Sequence, residues 1–216
     1  MSTRLALIHA LPHSVAPIND ALKRDWPAAT RMNLLDDSLS ADLAVNGRGL
    51  DAVMHERFMR LGDYAVDGGC QAILFTCSAF GSCIEAVARK HSGMPVLKPN
   101  EAMVAEAVAT GKHVGLLSSF APTLASMPAE FPASVTLTCE LAEGAMAALD
   151  AGDVATHDAL ILKSAAKLAA QGCGVIALAQ FSMAHMQDAV AKQTGLPVLT
   201  TVDSAVRALK KRLKAA

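Results

Sequence analysis

The sequence predicts an α/β protein of two similar lobes, each a parallel four-stranded sheet flanked by helices. Short apolar runs alternate with amphipathic stretches along the whole chain, which is the pattern of parallel strands joined by helices. The stretch Gly69-Cys70-Gln71-Ala72-Ile73-Leu74-Phe75-Thr76-Cys77-Ser78-Ala79-Phe80 has a counterpart in Gly172-Cys173-Gly174-Val175-Ile176-Ala177-Leu178-Ala179-Gln180-Phe181-Ser182-Met183, 103 residues on. Gly93-Met94-Pro95-Val96-Leu97 recurs as Gly195-Leu196-Pro197-Val198-Leu199 at an offset of 102, which sets Glu101 against Asp203. The expected lobes are 1–98 and 99–216, with 200–216 able to pack back on the first.

In chain order, Leu5-Ala6-Leu7-Ile8 reads as a buried strand stopped by the turn before Pro12. A helix follows from Val15 to Arg24, then a strand Arg31–Leu35. The polar run Asp36-Asp37-Ser38-Leu39-Ser40, with Asn46-Gly47-Arg48-Gly49, reads as an irregular connection able to act as a lid. Val53, Met54, Phe58, Leu61 and Ala65 lie at helical spacing within Leu50–Val66, closed by Gly68-Gly69. The strand Gln71–Thr76 leads through Cys77 and a small-residue turn into a helix where Ser82 and Glu85 have capping-box spacing. A strand Pro95–Leu97 and a helix capped by Asn100 and ending at Thr110-Gly111-Lys112 complete the first pattern.

The second pattern repeats it. Val114–Ser118 is the strand, with the turn running to Thr123; Val135–Thr138 is the weaker second strand, followed by a loop from Leu141 to Asp150. His157–Gln171 is a helix, Val175–Leu178 a strand, Met183–Thr194 a helix, Val198-Leu199 a strand and Ser204–Lys214 the last helix. In parallel sheets ligands gather beyond the carboxyl ends of the strands. His9, Cys77, Ser118 and Gln180 all fall there, so the expected active site is a cleft between the lobes.

Composition narrows the function. At 216 residues, 52% hydrophobic and 18% charged, with a net charge of -1, the chain is long enough for a sizeable core. It offers no polybasic surface for nucleic acid or an anionic membrane. The few apolar residues after Met1-Ser2-Thr3-Arg4 are too short a run for a signal peptide, and no apolar run reaches membrane-spanning length, so a cytoplasmic location is expected. Five cysteines, without a CxxC pair or a histidine at zinc spacing, support neither a disulfide framework nor a structural metal site. No P-loop, dinucleotide glycine motif or G-x-S-x-G elbow is present. Exposed lobe surfaces leave room for a homodimer.

Cys77 is the candidate catalyst. Between a buried strand and a helix start, free N–H groups favour a thiolate, and the thiol is expected to titrate about a unit or more below the free value. Cys70 and Cys173 hold equivalent places before their strands and read as packing; Cys83 falls within a helix and Cys139 has no motif around it. Ser78, Ser118, Ser119, Thr123 and Ser182 are hydroxyls in turns at strand ends, fitted to bind a carboxylate or oxyanion. His9 reads equally as a substrate-orienting or proton-moving group and as a hydrogen-bonded structural histidine. His185 is a weaker candidate, and Met103, Met146, Met183 and Met186 read as core.

Taken together, the chain resembles the aspartate/glutamate/hydantoin racemase superfamily, which includes glutamate racemase, maleate isomerase and arylmalonate decarboxylase. The resemblance rests on Cys77-Ser78-Ala79 in the place of a Cys-Asn-Thr motif, and on Gly172 to Gln180-Phe181-Ser182 in the place of a second Gly-Cys-Thr motif. It implies two pseudo-symmetric Rossmann-like lobes, an interlobe active site without metal or organic cofactor, and chemistry at a carbon next to a carboxylate or carbonyl. Cys77 would be the acid/base or nucleophile, His9, Ser78, Ser118, Ser119 and Thr123 would bind substrate, and Gln180, Phe181 and Ser182 would form the opposite wall. Gln180 stands where a two-base racemase has its second thiol, and an amide cannot shuttle a proton. Three readings follow: isomerisation or racemisation through an enolate-like intermediate, one-base decarboxylation of a malonate-type acid, and binding of a small acid without catalysis.

Overall fold

The computed structural model describes residues 3–45, 47 and 49–214. It divides into two compact units, one containing the residues up to Pro99 and those from Ala205 onward, the other Asn100–Ser204.

The first unit is built on β1 (Arg4–His9), β2 (Thr30–Leu35), β3 (Ala72–Phe75) and β4 (Val96–Leu97), in the order β2-β1-β3-β4. All pairs are parallel; β1 holds the centre, with Leu7 opposite Asn33 on one side and Leu74 on the other. The central strands read as continuous apolar runs because both faces of the sheet are covered. Leu5, Ala6, Leu7, Ile73 and Leu74 are sealed from solvent. The crossovers are α1 (Val15–Asp25), α2 (Ser38–Val45), α3 (Ala52–Asp67) and α4 (Gly81–Lys90). Asp51 caps α3 by accepting from the Met54 N–H. Under β3, Phe58 stacks on Phe75 at 5.3 Å between centroids and meets Phe80 at 4.9 Å. Such pairs add about 0.5–1.5 kcal/mol each beyond the area they bury.

The second unit repeats the plan with β5 (Val114–Ser118), β6 (Leu137–Leu141), β7 (Val175–Leu178) and β8 (Val198–Thr200), in the parallel order β6-β5-β7-β8. Its helices are α5 (Glu101–Ala109), α6 (Ala121–Ser126), α7 (Ala145–Asp150), α8 (Val154–Ala170) and α9 (Gln187–Thr194). Helix α10 (Thr201–Lys214) starts in this unit and continues into the first, where Lys210 donates to the Asp25 carbonyl. Gly115 lets α8 lie close on β5: a Cβ there would come within 3.1 Å of both Cys173 Sγ and Leu168 Cδ1. Cys70 and Cys173 are both buried ahead of their strands, as packing residues are. No helix among the described residues is long and apolar enough to cross a membrane.

Several local expectations are corrected. The polar run after β2 is not irregular, since Ser38–Val45 is the helix α2. Leu39 anchors it, fully buried, and Arg57 of α3 donates to Asp36, Asp42 and the Ser38 hydroxyl. Asn46 and Arg48, part of the expected lid, lie outside the described residues. The Ser82–Glu85 capping box does not form, because α4 already begins at Gly81 after a 3-10 turn over Ser78–Phe80; Glu85 instead accepts from Lys98. Asn100 makes no side-chain cap and donates to Glu130. The expected strand 135–138 lies at 137–141, where it matches all five residues of β5. The expected loop before Asp150 contains α7, started by Gly144 at φ 81°, a conformation glycine adopts without strain.

Candidate active site

The repeat gives Cys77 and Gln180 the same backbone station. Cys77 stands two residues beyond β3, extended at φ -125° and ψ 123°, ahead of the 3-10 turn Ser78–Phe80. Gln180 stands two residues beyond β7, extended at φ -135° and ψ 147°, ahead of a 3-10 turn over Phe181–Met186. The strand registers extend the match, with Ile8 paired to Phe75 and Leu117 to Leu178. His9 therefore corresponds to Ser118, and Ala10 to Ser119.

In the first unit the half-buried Cys77 shares a narrow apolar crevice with Ile8, His9, Ala10, Leu39, Phe58, Phe75 and Phe80. Burial pushes the Cys77 thiol up, and the Ala79 N–H and the Ser40 hydroxyl only partly offset it. The expected lowering is thus reversed: an aromatic and aliphatic wall disfavours the anion more than two donors stabilise it. Ser40 lies on α2, in the stretch read from sequence as irregular, and had no signal of its own. Ser78 is half-buried beside the thiol, its hydroxyl without a partner among the described residues.

His9 is sealed from solvent and fully bonded. Its Nδ1 lies 3.0 Å from Ser14 Oγ and 2.9 Å from Thr76 Oγ1, and its Nε2 lies 3.1 Å from Asn33 Oδ1. Asn33 in turn pairs with Asn19. Since an amide oxygen only accepts, the network fits a neutral ring with its proton on Nε2. Burial also lowers the His9 pKa, against the opposing hydrogen bond to Asn33. Both ring nitrogens of His9 thus face protein partners, while the residue also lines the crevice with Cys77.

In the second unit the amide oxygen of Gln180 accepts three hydrogen bonds, from the Ser119 N–H at 2.6 Å and from the Ser118 and Ser119 hydroxyls at 2.9 Å each. The backbone N–H fixes the orientation of the amide, because only oxygen can accept from it. The Gln180 NH2 faces away, without a partner among the described residues. The donors expected to hold a carboxylate are thus already engaged by a side chain. Thr123 is buried in the first turn of α6 and Phe181 is buried in the core. The Ser182 hydroxyl has no partner among the described residues, while its carbonyl faces His185.

Parallel sheets doubled in this way, each with a strand–turn–helix station at the same place, define a class of two-lobed α/β proteins. Residues 18–209 match the Asp/Glu/hydantoin racemase family, and the chain belongs to that family. No sequence among curated proteins matches it. Solved structures with the same fold include an aspartate racemase homologue from Pyrococcus horikoshii (TM-score 0.75, 12% identity, all of both chains covered). Another is allantoin racemase from Klebsiella pneumoniae (0.74, 14% identity, 99% of this chain and 89% of that one). A third is glutamate racemase from Francisella tularensis in complex with D-glutamate (0.71, 12% identity, 99% and 82%). At these identities the likeness is one of fold.

Proposed function

We propose that this chain is a cofactor-independent isomerase acting at the carbon next to a carboxylate or carbonyl of a small organic or amino acid, with Cys77 as its acid/base. The supporting observation is the shared station of Cys77 and Gln180, which in this family is where the reacting side chains stand. The Cys77 thiolate takes the α-proton as the C–H bond breaks, and the electron pair moves onto the neighbouring carboxylate to give an enolate. With no second proton carrier at Gln180, the configuration inverts only when the enolate turns over in the site before the proton returns from sulfur to its other face. A thiol held neutral at rest by burial is a stronger base once ionised, and one positioned base is worth about 10²- to 10⁴-fold.

The remaining roles follow from what each group has free. In the first unit Ser78 is the donor left beside Cys77, and in the second Thr123, Ser182 and the Gln180 NH2 are the donors left for a carboxylate, whereas Ser118 and Ser119 position Gln180 and His9 supports the turn beneath Cys77. A substrate of amino-acid size is the natural first probe, since the glutamate racemase named above is bound to D-glutamate.

A second reading is one-base decarboxylation of a malonate-type acid, favoured by the inability of the Gln180 amide to carry a proton. The test is incubation of 2-substituted acids, amino acids and malonates in D2O with the wild type and Cys77→Ser. Racemisation with deuterium uptake supports isomerisation, and carbon dioxide release supports the second reading. Binding without either, unchanged in Cys77→Ser, would show a small-acid binding protein and sink both.

A further inference from the structure

Outside the strand-end stations, His157 and Asp158 of α8 meet His185 from the turn Phe181–Met186. Asp158 Oδ1 lies 2.8 Å from His157 Nδ1 and 2.8 Å from His185 Nε2, and the two imidazole rings stack with centroids 5.7 Å apart. One candidate ligand atom from each residue falls within a 4.8 Å cluster. We propose that His157, Asp158 and His185 form a binding site for a first-row divalent metal ion of the Zn2+ type.

The case rests on where the protons can be. His185 Nδ1 lies 3.0 Å from the Ser182 carbonyl oxygen, which only accepts, so the proton of a neutral ring is on Nδ1. Its Nε2 then points a lone pair at a carboxylate oxygen 2.8 Å away. Two acceptors face to face require a cation between them, either a second ring proton or a metal. A ring anchored through Nδ1–H to a backbone carbonyl, with Nε2 free, is the arrangement in which metal-ligating histidines are usually held. His157 brings a second imidazole nitrogen to the same oxygen from a fully buried side chain. Its other nitrogen, Nε2, is buried without a partner among the described residues, so the neutral ring carries its proton on Nδ1 toward Asp158 and shifts it to Nε2 when a metal takes Nδ1.

Two imidazoles and a carboxylate are the donor set of zinc and its neighbours, and three protein ligands leave a position for water on the exposed side of His185. Metal–ligand bonds of about 2.0–2.2 Å require the 2.8 Å contacts to open by about 0.5 Å. Side-chain rotation of half-exposed His185 can supply this. The ion would tie the turn that follows Gln180 onto α8. Sequence spacing gave no sign of the site, because its ligands come from elements 27 residues apart.

The test is calorimetric titration of the full chain with Zn2+, and with Co2+ followed in the visible and near-ultraviolet. The expected result is one site, weakened about 100-fold in Asp158→Asn and in His185→Gln. Glutamine can still donate to Asp158 but is a poor ligand, so a merely structural hydrogen bond would survive His185→Gln and metal affinity would not. Both positions are partly exposed, and circular dichroism checks that the variants fold. Should either variant unfold, His185→Ala, read by the same Co2+ spectra, replaces it. The proposal is overturned by absence of binding, by equal affinity in wild type and variants, or by a thiolate-to-cobalt charge-transfer band, which would place the metal on a cysteine.

Discussion

The side-chain oxygen of Gln180 lies 2.6 Å from the backbone nitrogen of Ser119, and two serine hydroxyls converge on the same oxygen. An acceptor held by three donors is part of the frame of this strand end. It satisfies the donors at the end of β5 and leaves the amide NH2 as a donor without a partner among the described residues. In the first unit the equivalent of Ser119 is Ala10, which offers no hydroxyl, and there the station holds a thiol in apolar surroundings.

Gln180→Ala should cost about 1–3 kcal/mol of stability, since Ser118 and Ser119 lose a shared acceptor. Gln180→Glu should retain most of that stability, because a carboxylate oxygen accepts the same three bonds, yet it replaces the NH2 donor with an acceptor. For a carboxylate substrate the expected result is a KM raised about tenfold or more, the equivalent of one charge-assisted hydrogen bond. Urea unfolding and steady-state kinetics on both variants check this; equal kinetics in Gln180→Glu would remove Gln180 from substrate binding.

Cys77 should react slowly with iodoacetamide at neutral pH, because a raised pKa leaves less thiolate than a free cysteine has. Its rate should keep climbing with pH beyond the point where a free thiol levels off. Ser40→Ala, by removing one of the two donors near the sulfur, should slow alkylation at pH 8 further. Mass spectrometry of peptides separates Cys77 from exposed Cys139, which should label first, and from buried Cys83, pushed up to about 11 by burial. Faster labelling of Cys77 than of Cys139 would mean that the apolar wall does not control the thiol.

The fold was legible because its signals are local. The duplicated Gly-Cys-strand segments, the apolar runs of β1, β3, β5 and β7 and the glycines after α3 and α8 each leave a mark within a few residues. Helix α2 was not legible, since what orders it is distant: Leu39 buried in the core and Arg57 reaching back from α3 to Asp36 and Asp42. The same holds around the strand ends. Position alone pointed to Cys77, Ser118, Ser119 and Gln180, but which donors engage which acceptors depends on side-chain geometry. A serine in a turn looks the same in sequence whether it waits for a ligand or holds Gln180. The sign of the Cys77 shift was not legible for a related reason, since the Ala79 N–H is local whereas the opposing aromatic wall includes Phe58, from a helix well before it in the chain.

Gly115→Ala should destabilise the protein by about 1–3 kcal/mol, since its Cβ would press on Cys173 and Leu168 where α8 crosses β5. Gly81→Ala is the matched control. Nothing lies within 4 Å of a Cβ there, and the residue is helical at φ -48°. That substitution should be neutral or stabilise by up to about 1 kcal/mol. Chemical denaturation of the pair checks the close approach of helix and strand; equal stabilities would mean that α8 can shift to accommodate a methyl group.

His9 sets a pH dependence of stability whose sign follows from its burial. Its folded pKa lies below the ordinary value of 6.5, so between the two values the unfolded chain binds more protons than the folded one. Stability should therefore be full above about pH 6.5, and fall as the pH drops through that value toward the folded pKa. His9→Gln keeps an amide donor for Asn33 and an acceptor for Thr76 but cannot titrate. The variant should lose about 1–3 kcal/mol at pH 8, from imperfect replacement of a buried network. It should also show a shallower decline between pH 7 and pH 5 than the wild type. Urea midpoints at intervals of half a pH unit measure both. An identical slope in wild type and variant would assign the acid sensitivity to other groups, and would leave His9 able to take up a proton in the folded state.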